Sequence, residues 1–115
     1  MRSIVGEKSY LFAIKIVELY KKLKERQEII LSRQLIRSGT SIGANIAEAN
    51  GAISKADFSS KMSLAYKEGL ETKYWLNLLK DTNYMTEQEH DSLLSEADDI
   101  CKMLFSILKT TRINQ

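Results

Sequence analysis

No proline interrupts this chain, and its large apolar residues return every three or four positions over long stretches. That spacing is the period of an α-helix, and proline is the residue that most reliably breaks one. A β-sandwich or barrel of 115 residues would need a turn every 8–12 positions, and five glycines with no proline cannot supply them. With 43% hydrophobic and 28% charged residues the composition is that of a folded domain, and its length is that of one, spanning residues 1–115. A domain this small buries only about two-thirds of its unfolded surface, so self-association is a natural supplement.

Four helical stretches follow from the pattern. The first runs from about Ile4 to Glu25. At roughly 100° per residue, Phe12, Ala13, Ile16, Val17, Leu19, Tyr20 and Leu23 fall in one arc, while Leu11 and Ile14 stand outside it among charged residues. The second spans about Gln27 to Asn50, with Ile29, Ile30, Leu35, Ile36, Ile42 and Ile46 as its large apolar side chains. Gly39, Gly43 and Ala47 stand four apart there, which stacks them into a smooth strip where a neighbouring backbone can come close. Thr40, Ser41 and Asn45 are expected to hydrogen-bond across that contact. Each glycine costs a helix interior about 1 kcal/mol, so a break near Gly39 is the rival reading; the apolar period persisting through the glycines favours one continuous helix.

Gly51-Ala52-Ile53 then forms a connection, and Ser54 with Asp57 resembles a capping box that opens a third helix reaching about Leu79. Thr86 through Glu89 is a full capping box for a fourth helix, which ends near Lys109 to Arg112. Long helices joined by short connections define an all-α, antiparallel up-down-up-down four-helix bundle.

The formal charge is only +2, but it is unevenly spread. Residues 1–40 carry nine basic side chains against four acidic ones, a net of +5, and the remainder carries eight against eleven, a net of −3. Such a basic half can attract phosphate backbones or the acidic half of a neighbour. The candidates for phosphate contact are Lys15, Lys21, Lys22, Lys24, Arg26, Arg33 and Arg37; Lys15 and Lys22, seven apart, share a helix face. Glu7 and Lys8 interrupt the N-terminus before a signal-peptide core can form, and no stretch is apolar enough for a membrane helix. With one cysteine, Cys101, and no membrane segment, a cytoplasmic protein is expected.

The run Arg37-Ser38-Gly39-Thr40-Ser41-Ile42-Gly43-Ala44-Asn45-Ile46-Ala47-Glu48-Ala49 closely resembles the signature of the four helix bundle protein family. Its members are also called 23S ribosomal RNA intervening-sequence proteins, and the family is similar to the accessory variability determinant of diversity-generating retroelements. Ser54 to Phe58, Lys67-Glu68, Glu71-Thr72 and Tyr74 to Leu79 extend the similarity over nearly the whole chain. Many relatives have proline where this chain has Gly43 and glycine where it has Ala49. The resemblance implies an antiparallel four-helix bundle assembled as a homopentamer around a central pore, with no known catalytic activity. It also implies partners: members are suspected of binding RNA or DNA, and the retroelement relatives engage a reverse transcriptase, a nucleic-acid enzyme.

Catalytic and metal chemistry find little support. Glu87 and His90 form a Glu-x-x-His at i, i+3, but a di-iron bundle needs two such motifs with further glutamates, and His90 is the only histidine. Glu48, Glu68 and Glu71 make a carboxylate cluster if their helices converge, yet no nucleophile or phosphate loop accompanies them. They are expected instead to bond to Ser41, Thr40, Asn45 or lysines across helices or subunits. Cys101 reads as a small buried hydrophobe; Tyr74 and Trp75 are able to stack on bases, but Trp75 reads rather as core or interface. The candidate packing and interface set is thus Gly39, Ser41, Gly43, Asn45, Ala47, Glu48, Glu68, Glu71 and Trp75. No cofactor, catalytic residue or metal ligand is expected. A non-enzymatic oligomeric scaffold that binds nucleic acid through helices 1 and 2 is the first reading, and an adaptor directed at protein partners the second.

Overall fold

The structure is a computed structural model that describes residues 3–113, with side chains through 111. Its four helices are α1 (Ile4–Glu25), α2 (Ile30–Asn50), α3 (Lys55–Asp81) and α4 (Glu87–Ile113). Each packs on its neighbours in sequence, α4 returns to α1, and among the described residues the backbones of diagonal helices do not come close. The result is the expected antiparallel bundle, a rod of 46 × 21 × 20 Å. The α2–α3 contact is the most extensive and the α1–α4 seam the least.

Local chemistry sets the helix ends. Ser3 Oγ accepts from Gly6 N at 3.0 Å and opens α1, and Ser54 Oγ accepts from Asp57 N at 3.0 Å and opens α3. Thr86 and Glu89 form the reciprocal capping box of α4, each backbone N–H donating to the other's side chain at 3.0 and 3.1 Å. The start of α2 departs from expectation. Gln27 lies in the left-handed region (φ 65°) and ends α1, with Glu28 N donating to Leu23 O at 2.9 Å. The α3–α4 turn repeats this motif, with Asn83 at φ 69° and Tyr84 N donating to Leu79 O at 2.9 Å. Glu28 then turns its carboxylate onto Leu31 N and Ser32 N at 2.9 and 2.7 Å, so α2 begins at Ile30 rather than near Gln27. At the end of α4, Lys109 is exposed as expected of a basic terminus, while the side chain of Arg112 lies outside the described residues.

Phe12, Ile16, Leu19 and Leu23 of α1 join Leu35, Ile42 and Ile46 of α2, Leu76 and Leu79 of α3, and Ile100 and Leu104 of α4 in one core. Ala13, Val17 and Tyr20, the far edge of the α1 arc, are half-buried. The helix through the glycines is unbroken. A Cβ at Gly39 would lie 2.9 Å from Ile16 Cγ2, and one at Gly43 would lie 3.3 Å from Ser9 Oγ and 3.5 Å from its carbonyl oxygen. The rod pressed against this strip is therefore α1 of the same chain. A Cβ at Gly69 of α3 would likewise lie 2.6 Å from Cys101 Sγ of α4.

Two stability effects follow. Gln27→Gly relieves a left-handed backbone that a side chain disfavours, so urea unfolding should show a gain of about 0.5–1 kcal/mol. Gly39→Val forces two methyl groups against fully buried Ile16 and should cost about 2–3 kcal/mol by the same measurement.

Candidate nucleic-acid interface

The seven candidate cations do not form one surface. Three are committed to ion pairs between helices. Lys15 Nζ donates to Glu96 Oε2 of α4 at 2.9 Å. Arg37 bridges Glu68 and Glu71 of α3, donating to Glu68 Oε2 at 3.0 Å and also to Glu71 Oε2. Arg26 makes the most complete pair: its two terminal nitrogens donate to the two oxygens of Glu89 at 3.0 and 2.9 Å, and Nη1 also donates to Tyr84 O at 2.8 Å. This clamp joins the α1–α2 turn to the α3–α4 turn. The Arg26 guanidinium beside Glu89 holds that carboxyl down at about 2, with the Thr86 capping bonds adding to the effect.

Lys21, Lys22, Lys24 and Arg33 remain. All four are exposed, on the last turns of α1 and the first turn of α2, and among the described residues none has a carboxylate partner. Lys24 Nζ rests 5.6 Å from the Tyr20 ring centroid, a contact that leaves its charge in water. Glu28, the acid nearest in sequence to Arg33, is buried with its carboxylate on the α2 backbone, so it does not cancel the cluster.

The packing candidates also divide. Gly39 and Gly43 face α1, as described, whereas Ala47 is exposed. Thr40, Ser41 and Asn45 do not bond across a helix contact as expected. They donate to carbonyls of their own helix: Thr40 to Ile36 O, Ser41 to Arg37 O and Asn45 to Ser41 O, at 2.6, 2.5 and 2.8 Å. Their side chains are short and half-exposed, and the carbonyl one turn back is the nearest acceptor. The hydroxyl pair that does cross helices is Thr72 Oγ1 to Ser38 Oγ, buried at 3.0 Å. Glu68 and Glu71 meet Arg37 instead of Ser41, Thr40 or Asn45, and Glu48 takes Lys61 Nζ at 3.2 Å. The three carboxylates are thus salt-bridge partners. Trp75 is half-buried against the core with its indole N–H unpartnered.

His90 is buried, its ring nitrogens 2.9 Å from Asp91 Oδ1 and 2.7 Å from Asn77 Oδ1, so both are engaged by residues other than the Glu87 of its motif. Among the described residues no three His, Cys, Asp or Glu side chains converge as a metal site. Burial pushes the Cys101 thiol up, which leaves it a weak nucleophile and a packing group against Gly69.

Tyr10 is an exposed aromatic that the sequence pattern does not single out. Tyr10 (68% exposed) and Leu11 (58%) stand over a groove of about 760 Å³ between α1 and α2, floored by Ala13, Gly43, Ala44 and Ala47. Tyr10, Leu11 and Ile14 form a cluster along α1, and the sequence signal was present in Leu11 and Ile14 alone. No described helix is long and apolar enough to cross a membrane.

An all-helical bundle with a small cationic end and an open apolar groove is the class these observations define. Residues 1–106 match the 23S rRNA-intervening sequence protein family, and the chain belongs to it. Among solved structures it is similar to a protein of unknown function from the S23 ribosomal protein family of Bacteroides thetaiotaomicron VPI-5482, with 50% identity and a TM-score of 0.91 over 92% of this chain and 99% of that one. No curated protein matches.

The Arg26–Glu89 clamp has a pH signature. Because Glu89 is held near 2 in the folded chain and titrates near the usual 4.5 when unfolded, its contribution is complete above about pH 5 and disappears as pH falls towards 2. Glu89→Gln should therefore cost about 1–2 kcal/mol at pH 7, allowing for solvent around a guanidinium 35% exposed, and close to nothing at pH 2. Urea unfolding of both proteins across that range checks it.

Proposed function

We propose that the chain is a non-enzymatic helical scaffold that assembles with copies of itself and holds RNA or DNA, without sequence preference, at the α1–α2 end. The observation that carries this reading is the group of four exposed cations, Lys21, Lys22, Lys24 and Arg33, which form no ion pair among the described residues and outnumber the exposed Glu18 and Glu25 beside them, where the other candidates are paired. Phosphates supply the missing charge, and lysines meet them as point charges indifferent to base identity. A homopentamer, which the family resemblance implies, repeats the cluster five times and converts weak contacts into avidity. The reading takes the protein to be cytoplasmic, in keeping with a single buried thiol.

Self-association is assigned to the α1–α2 groove. Its lining is apolar and small apart from Glu7 and a few polar groups, a surface that another helix can press into closely. The same groove favours a second reading, an adaptor that seats an apolar helix of another protein, such as a reverse transcriptase, with no direct nucleic-acid contact.

Salt dependence separates the two. Four phosphate contacts per chain give a slope of log K against log salt of about −3.6 for duplex DNA, whereas docking in an apolar groove is nearly independent of salt. Retention on RNA and DNA across a salt series should show that slope and lose it when Lys21, Lys22 and Lys24 are changed to Glu. Absence of binding at low salt, or binding unchanged in the triple variant, removes the nucleic-acid reading. A monomer by sedimentation at high concentration removes the scaffold.

A further inference from the structure

On the α3–α4 side the bundle carries a second exposed ridge, different in chemistry from the groove. Leu70 (42% exposed), Tyr74 (59%) and Phe105 (51%) lie on it, with the Tyr66 ring 5.9 Å from that of Phe105. Leu70, Tyr66 and Phe105 line one shallow cleft, and Tyr74 is a single helical turn beyond Leu70. Tyr66 and Tyr74 are eight positions apart, so the aromatic strip is about 12 Å long, within reach of a few nucleotides. Lysines surround it. Lys73 and Lys102 share the single carboxylate of Asp98 at 3.0 and 3.1 Å, and Lys67 and Lys109 are exposed without an acidic partner among the described residues.

That mixture selects an occupant. Burying four lysines with only Asp98 and Asp99 as carboxylates beside Lys102 imposes a desolvation cost beneath another protein, and lysine is depleted from protein interfaces for that reason. A polyanion meets the same lysines favourably while its unpaired bases cover the rings, the combination by which single strands are held. A duplex offers phosphates but keeps its bases stacked internally.

We propose that the α3–α4 ridge is a second nucleic-acid surface that takes single strands by stacking unpaired bases on Tyr74 and Phe105. The assignment deepens the nucleic-acid reading above and rests on it. It also supplies its own reporter. Trp75 is the one tryptophan of the chain, and its ring lies edge-on to Tyr74 at 5.0 Å, so a base settling on Tyr74 alters indole emission.

The full chain is titrated with an oligothymidylate of about twelve nucleotides, an abasic phosphodiester of equal length and a duplex of equal length, following Trp75 fluorescence and affinity. The oligothymidylate should bind at least about tenfold more tightly than the abasic strand and alone change the emission. Tyr74→Leu and Phe105→Leu keep apolar bulk without a π-face; each should weaken oligothymidylate binding roughly five- to tenfold and leave the abasic strand and the duplex unmoved. Equal affinity for thymidylate and abasic strands, or Leu variants that bind thymidylate normally, overturns the ridge while duplex binding keeps the end cluster standing. If none of the three probes binds at low salt, both readings fall. Should the Leu variants sediment as smaller species, the ridge is a contact between copies of this chain, and the stacking proposal is overturned as well.

Discussion

The close seating of α1 on the glycine strip of α2 is the constraint on which the rest of the molecule depends. At Gly39 the space for a side chain is already filled by Ile16, and at Gly43 a Cβ would make a tight contact of 3.3 Å with Ser9 Oγ. Two glycines within a helix sacrifice about 1 kcal/mol each, and the recovered term is close packing along the first hairpin. Gly69 and Cys101 repeat the device between α3 and α4. The bundle is thus two glycine-seated hairpins joined chiefly along α2 and α3, where Ser38 and Thr72 share a buried hydrogen bond and Arg37 spans two glutamates. The α1–α4 seam carries less and closes the ring of helices.

This arrangement also places the surfaces. With α1 held low on α2, Ala44 and Ala47 are not covered and become the floor beneath Tyr10 and Leu11. Because the first hairpin is tight, the last turns of α1 and the first turn of α2 bring Lys21, Lys22, Lys24 and Arg33 to one end of the rod. A side chain at Gly39, which does not line the groove, would disturb it by shifting α1, whereas one at Gly43 would also stand in the groove floor itself.

How much of this was legible in the chain depends on how local each feature is. The apolar period survives through Gly39 and Gly43 and marks α2 as one helix, and Ser54 and the Thr86–Glu89 box mark helix starts that the structure retains. Those signals act over three or four residues. The start of α2 was missed because Gln27 adopts a left-handed turn with no glycine to announce it, and because the capping carboxylate comes from Glu28. Ion pairing was less legible still. Lys15 and Glu96 are 81 positions apart and Arg26 and Glu89 are 63 apart, so their pairing depends on which helices adjoin and in what register. The basic first forty residues therefore overstated the free charge. Glu68 and Glu71 pair with Arg37, a residue the sequence pattern marks as a phosphate ligand.

The fate of the arginines bears on what kind of recognition remains. A guanidinium is the side chain suited to forked, two-bond contact with a base edge or a phosphate. Here the forks of Arg26 and Arg37 are both closed on glutamates that hold helices together. The cations left open at that end are three lysines and one arginine, and the helix N-termini beside them are already capped by the carboxylates of Glu28 and Glu89, so backbone amides add little positive potential. A surface of mobile ammonium groups attracts charge without reading its pattern. On the proposed function the same interactions that stabilise the bundle thus leave Arg33 as the one open guanidinium of that end among the described residues, and selectivity has to come chiefly from the shape of the strand or from rings such as Tyr74 and Phe105 elsewhere on the molecule.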